Sequence, residues 1–151
     1  MYQRILVPVD GSDISKRGLE EAVKLSKEVG AQLRLVHIVD DSALALNPET
    51  GIAAAPLVAD FAEGGKEILT EARTLAVSQG VDAETVLHEN FTGRVADLIV
   101  DESRKWSADL IVMGTHATGG LRHAVLGSDA EAVLHGAEVP VLLVPVREKS
   151  S

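Results

Sequence analysis

Asp109–Ser128 reads DLIVMGTHATGGLRHAVLGS, the most telling passage of the 151-residue chain. A short apolar run, Leu110, Ile111, Val112 and Met113, stops at Gly114. A loop rich in Gly and Thr follows, and Gly127-Ser128 opens a helix-like segment. An α/β protein places a phosphate site in this way, with bare backbone N–H groups and a helix N-terminus facing an anion beyond a strand's carboxyl end. Ordinary chain turning accounts for part of the pattern: Gly114 reads as the strand-ending turn, and Ser128 to Glu131 fits an S-x-x-E capping box. Length favours the anion site. Twelve residues separate Gly114 from Gly127, against roughly 2–6 in an ordinary connection.

Strand-like and helix-like segments alternate on either side of this tract. Ile5 to Val9 is a β-branched apolar run halted by Asp10-Gly11-Ser12. Leu19, Ala22, Val23, Ser26 and Val29 keep helical spacing, and Gly30 closes the segment. Gln32 to Val39 predicts a second strand. Residues 40 to about 55, broken by Asn47-Pro48 and Gly51, read as a mobile loop. Phe61, Ile68, Leu69, Ala72, Leu75 and Ala76 mark a helix closed by Gly80, and Ala83 to His88 a short strand. Val95, Leu98, Ile99 and Glu102 to Trp106 predict a third helix capped by Thr92. Leu110 to Met113, Ser128 to Gly136 and Val141 to Val146 supply the fourth strand, fourth helix and fifth strand. The expected fold is α/β, a single doubly wound, Rossmann-like domain with a five-stranded parallel sheet flanked by four helices. It spans residues 1–147, and 148–151 form a polar tail.

Composition agrees. The length suits one domain of roughly 100–200 residues, which buries about 70% of the surface its unfolded chain exposes. Hydrophobic residues make up 46% of the chain and aromatics 3%, and the wealth of Val, Leu, Ile and Ala suits a sheet buried on both faces. With no cysteine, disulfides, thiolate metal sites and cysteine nucleophiles are excluded. No secretory signal is read at the N-terminus, and no apolar run approaches the ~20 residues of a membrane span. A cytoplasmic protein is expected. A formal net charge of −9 argues against nucleic acid or an anionic membrane as partner. It is compatible with a nucleotide carrying a divalent cation beside its phosphates.

Three strand ends compete for the chemistry: Pro8-Val9-Asp10, His37-Ile38-Val39, and Gly114 onward. If the first and fourth strands are neighbours at the point where the winding reverses, their loops share one crevice. Asp10 would there bond a base edge or ribose hydroxyl, or else serve as a turn or capping residue. Pro8, poorly suited to a strand interior, reads as a rigid wall of the crevice. Arg122 and His123 are positioned to neutralise phosphate or to sit unremarkably on a surface loop. His116 and His123 lack a third ligand for a metal. No catalytic base is identified.

The tract resembles the nucleotide-binding signature of the universal stress protein (UspA-like) family, G-x2-G-x9-G-[S/T], here on Gly114, Ala117, Gly127 and Ser128. RILVPVDGS (Arg4 to Ser12), LVHIVD (Leu35 to Asp40) and VPVLLVP (Val139 to Pro145) are similar to the same family, so the likeness covers nearly the whole chain. The resemblance implies ATP, with Mg²⁺ or Mn²⁺, held by the loops after strands one, two and four. By position, Pro8, Val9 and Asp10 flank the adenosine and the Ile38 backbone reads the adenine edge. Met113, Gly114, His116 and Ala117 line the ribose and phosphate side. Gly127 and Ser128 contact the phosphates, and Asp129 and Ala130 contribute the next N–H groups. The resemblance also implies a homodimer made by pairing the last strands, Val141 to Val146, consistent with an apolar run at a sheet edge. Ala117 departs from the signature's glycine, and Asp129 sets a carboxylate against the phosphates or beside a cation. The expected function is a nucleotide-dependent stress-response module; the alternatives are a slow ATP-hydrolysing enzyme and a nucleotide-free interaction protein.

Overall fold

A computed structural model describes residues 1–40, 54–90, 94–117 and 128–147. Its elements run β1 (Arg4–Pro8), α1 (Asp13–Val29), β2 (Gln32–Asp40), α2 (Ala54–Ser78), β3 (Ala83–Asn90), α3 (Val95–Trp106), β4 (Leu110–Ala117), α4 (Ser128–Gly136) and β5 (Val141–Arg147). The strands form one sheet in the order β3-β2-β1-β4-β5, and every neighbouring pair is parallel. The winding therefore reverses between β1 and β4, as expected of a doubly wound domain.

Strand alternation divides the core in two. Ile5 and Val7 of β1, Val9 just beyond it, and Leu33 and Leu35 of β2 face α1 and α2, where they meet Leu19, Ala22, Val23, Leu69, Ala72 and Ala76. Leu6, Val36, Ile111 and Met113 face the other way, against Ala96, Ile99 and Trp106 of α3 and Ala130 and Val133 of α4. The two helix pairs cover opposite faces of the sheet, and this burial of apolar area on both sides is the main source of stability.

Helix α1 shows how local chemistry sets the ends. The Ser12 hydroxyl oxygen accepts the Ser15 N–H at 3.1 Å as the N-cap. Gly30 closes the helix at φ 73° with its N–H on the Ser26 carbonyl at 2.8 Å, a left-handed cap that suits glycine.

Several boundaries differ from expectation. Helix α2 begins at Ala54, earlier than the apolar spacing indicated, with Pro56 in its first turn, where the missing N–H costs nothing. Strands β2 and β3 run on to Asp40 and Asn90, and β5 runs on to Arg147. The N-cap of α3 is Arg94, extended and without a side-chain cap bond; Thr92, the expected cap, lies outside the described residues. Helix α4 has Ser128 as its first helical residue rather than its cap, with Asp129 and Glu131 in the first turn.

The largest correction concerns Gly114. It does not end a strand: β4 continues to Ala117, with Gly114, Thr115, His116 and Ala117 opposite Val144, Pro145, Val146 and Arg147 of β5. A Cβ on Gly114 would collide with the Ile14 carbonyl oxygen of α1 and stand 2.7 Å from its carbon. Across the contact, a Cβ on Gly18 would collide with the Gly114 nitrogen and stand 2.9 Å from the Met113 carbonyl carbon. Gly114 is needed because α1 lies directly on the β4 backbone, and a glycine pair facing each other permits that approach.

Candidate functional site

Strands β1 and β4 pair only at Ile5↔Leu110 and Leu6↔Ile111, whereas β1 stays paired with β2 through Pro8↔Val36. The Val9 N–H points to β2, bonding the Val36 carbonyl at 2.9 Å. Backbone donors alternate along a strand, so the Pro8 nitrogen faces β4, and it carries no hydrogen. The ladder is cut on that side, and the sheet parts into a crevice. Pro8 is thus a wall of the crevice and also a cause of its opening.

The crevice has a volume of about 300 Å³ and lies at the carboxyl ends of β1, β2 and β4. Val36 and Ile38 of β2, Val95 and Ile99 of α3 and Met113 of β4 make an apolar slot. Pro8, Val9, Asp10, Ile14 and Ser15 form one rim, and Gly114, Thr115, His116, Asp129 and Ala130 form the other. Ala130 and Met113 are buried, and Asp129 is exposed in the first turn of α4. The slot is deep enough for a flat apolar ring, with polar groups concentrated at its mouth.

Asp10 is a turn residue standing at the rim. Its Oδ1 accepts the Ser12 N–H at 2.8 Å, an Asx turn. The Asp10 N–H donates to the Ser15 hydroxyl at 3.2 Å, and that hydroxyl donates to the Ser12 carbonyl at 3.2 Å. Burial pushes the Asp10 carboxyl up, but bonds from Ser12 and Ser15 and the nearby His37 outweigh it and hold the group below its ordinary value. The turn role is therefore present, and the same carboxylate lines the crevice.

Most sequence-predicted residues converge here: Pro8, Val9, Asp10, Ile38, Met113, Gly114, His116, Asp129 and Ala130 all line the crevice. Ala117 ends β4 and Ser128 begins α4. Gly127, Arg122 and His123 lie outside the described residues. Among the described residues no group of three His, Cys, Asp or Glu could hold a metal. The expectation missed Ile14, Ser15, Val36, His37, Val95, Ile99 and Thr115. Signals for some were available: Val36 shares the Ile38 face by strand alternation, and Val95 and Ile99 are one helical turn apart. Thr115 and His37 carried no distinguishing pattern.

At the sheet's end, β5 has β4 on one side only, and Leu142 keeps 42% of its surface exposed. No helix among the described residues is long and apolar enough to cross a membrane.

A doubly wound α/β domain with an apolar slot at its switch point belongs to a class that places ligands beyond its strand ends. Within that class the assignment is specific: residues 1–145 match the universal stress protein family, and the chain belongs to it. The chain is 36% identical over 150 residues to universal stress protein MJ0531 of Methanocaldococcus jannaschii, covering 99% of this chain and 85% of the relative. A crystal structure of a universal stress protein family member from Burkholderia pseudomallei superposes with a TM-score of 0.75 at 32% identity, covering 96% of this chain and 97% of the other. The Archaeoglobus fulgidus universal stress protein in complex with dAMP superposes with a TM-score of 0.65 at 26% identity, covering 95% and 98%.

Proposed function

We propose that this universal stress protein binds an adenine nucleotide in the crevice between β1 and β4. ATP with Mg²⁺ or Mn²⁺ is the ligand we assign, and its occupancy regulates stability or partner choice in the cytoplasm. The observation that carries this reading is the apolar slot of Val36, Ile38, Val95, Ile99 and Met113 running out to the first turn of α4. An adenine ring buries its faces in such a slot, and phosphates are favoured at a helix N-terminus by its free N–H groups and dipole. The dAMP-bound relative supports the choice of an adenine ligand.

Pro8, Val9 and Asp10 border the adenosine, and Ile38 presents backbone to the base edge. Met113, Gly114, His116 and Ala117 follow the ribose and phosphates, which Gly127, Ser128, Asp129 and Ala130 receive. Asp10 and Asp129 give the crevice mouth a negative character, and a divalent cation bound with the phosphates would offset their repulsion. The exposed edge of β5 supports the second part of the proposal, a homodimer built by pairing the two copies' last strands.

Calorimetric titration of nucleotide-stripped protein with ATP and Mg²⁺ tests the reading. One site per chain with a micromolar dissociation constant is expected; no heat at two temperatures would place the chain among nucleotide-free interaction proteins.

A further inference from the structure

His37 is one of the residues lining the crevice, and its ring turns to the far side of the sheet. It lies on the β2 face shared by Leu33 and Leu35, the α2 side of the sheet, opposite the face by which Val36 and Ile38 form the slot. Its Nδ1 is 2.7 Å from the Val9 carbonyl oxygen. A carbonyl can only accept, so Nδ1 carries the proton and donates. The Val9 N–H meanwhile donates to the Val36 carbonyl at 2.9 Å. Val9 is therefore tied to β2 through both its polar backbone groups, one bond made by backbone and one by an imidazole. Asp10 follows directly, at the crevice rim.

The ring depends on a space left by α2. A Cβ on Gly65 would stand 2.7 Å from His37 Cδ2 and 2.8 Å from Leu87 Cδ1. Gly64 beside it has nothing within 4 Å. Of this helical glycine pair, only Gly65 is needed for packing, and what it admits is the imidazole together with the Leu87 and Val39 side chains.

We propose that His37 is a positioning residue for nucleotide binding: its bond to the Val9 carbonyl fixes the exit of β1 and so holds Asp10 and Ser15 at the crevice, with Gly65 leaving room for the ring. This rests on the nucleotide reading above. Without the bond, the Val9–Asp10 segment is held only by the Val9 N–H on Val36 and by the turn bonds of Asp10, so the ligand must supply the rest of its order, and that cost appears as lost affinity.

ATP with Mg²⁺ is titrated calorimetrically into the wild type, His37→Asn, His37→Leu and Gly65→Ala, with urea midpoints measured alongside. An asparagine amide places an N–H near the Nδ1 position, so His37→Asn should stay within about twofold of wild type. His37→Leu should bind roughly five- to tenfold more weakly, the effect of one hydrogen bond lost from a preorganised site. Gly65→Ala crowds the ring without removing it and should weaken binding similarly, which keeps the test alive if His37→Leu does not fold; Leu87→Ala combined with Gly65→Ala relieves the other close contact and should leave the loss in place. The ¹⁵N shifts of the imidazole should report the Nδ1-protonated tautomer. If the wild type binds but the leucine and Gly65→Ala proteins bind as well as it does, or if asparagine fails as badly as leucine, the role of His37 is overturned and the nucleotide reading stands. A wild type that binds no ATP overturns both, even if the Nδ1 tautomer is found.

Discussion

Replacing Gly114 by alanine should destabilise the fold and damage the crevice together. The new Cβ would lie 2.7 Å from the Ile14 carbonyl carbon and closer still to its oxygen. Carbon–carbon contacts sit near 3.5 Å, so α1 must retreat by at least about 0.8 Å. A gap of roughly 0.5–1 Å forfeits a quarter to a half of each contact's attraction. The helix buries Leu19 and Val23 against the sheet, each worth about 1.5–3 kcal/mol when fully buried. The loss is therefore about 1–3 kcal/mol, in the range seen for overpacked cores. The helix also carries Ile14 and Ser15 to the crevice rim, so ATP affinity should fall with stability. Gly64 is the internal control. A Cβ there meets nothing within 4 Å, and Gly64→Ala in the middle of α2 should stabilise by about 0.5–1 kcal/mol. Urea denaturation and ATP titration of both variants make the test. If Gly114→Ala lost less than about 0.5 kcal/mol and kept wild-type affinity, the α1–β4 contact would not have the importance assigned to it.

Three further outcomes are expected. Glu102, whose side chain is 6% exposed, accepts Arg34 Nη1 at 2.9 Å and His88 Nε2 at 3.0 Å; Glu102→Ala should cost about 3 kcal/mol, the low end for breaking a buried pair, because Arg34 keeps Glu84. The Arg34 guanidinium stacks 4.8 Å from the ring centre of Trp106, the chain's single tryptophan, so its fluorescence should change as well; a loss under about 1 kcal/mol would refute the network's weight. Asp10, held below its ordinary value, contributes stability that is present above the unfolded-state value of about 3.9 and is lost as pH falls through the folded one. The urea midpoints of wild type and Asp10→Asn should therefore draw together as pH falls below about 4, and a constant gap would remove the argument. Leu142→Lys on the β5 edge should convert the proposed homodimer to monomer by light scattering while leaving the monomer's fold within about 0.5 kcal/mol; an unchanged dimer mass would place the interface elsewhere, and a monomeric wild type would overturn the dimer.

The alternation of periods was legible because each buried strand carries its own apolar run and each helix its own stripe, as Ile5–Val7 and Leu19–Val23 show. Element order made a switch point between the first and fourth strands the natural expectation, and the family resemblance added Ile38 and Met113 to Pro8 and Asp10, which all line one crevice. Gly114 was misread as a turn because a glycine that permits close packing and one that ends a strand are the same letter. The difference lies in Ile14 and Gly18, distant neighbours that no local pattern names. His37 was passed over for a related reason. An imidazole among apolar residues at strand spacing reads as core, and its bond to Val9 crosses 28 positions of sequence. The beginning of α2 was passed over because the apolar spacing that marks the helix starts only at Phe61, seven residues after Ala54.

The glycine signature therefore records two different constraints. Its first position serves the docking of α1 on β4, which would be required of this fold even with the crevice empty. Of its last positions, Gly127 lies outside the described residues and Ser128 begins α4, where the proposed nucleotide's phosphates would sit. A family member could thus retain Gly114 for packing after losing nucleotide altogether. The informative departures are those near the phosphate end, Ala117 and Asp129. Ala117 closes β4 opposite Arg147, in extended rather than left-handed backbone. A residue in that conformation accepts a side chain without strain, so alanine there costs affinity only if its methyl group meets the phosphates. Ala117→Gly separates the cases: a clear rise in ATP affinity would identify steric crowding at the site, and unchanged binding would rule that crowding out.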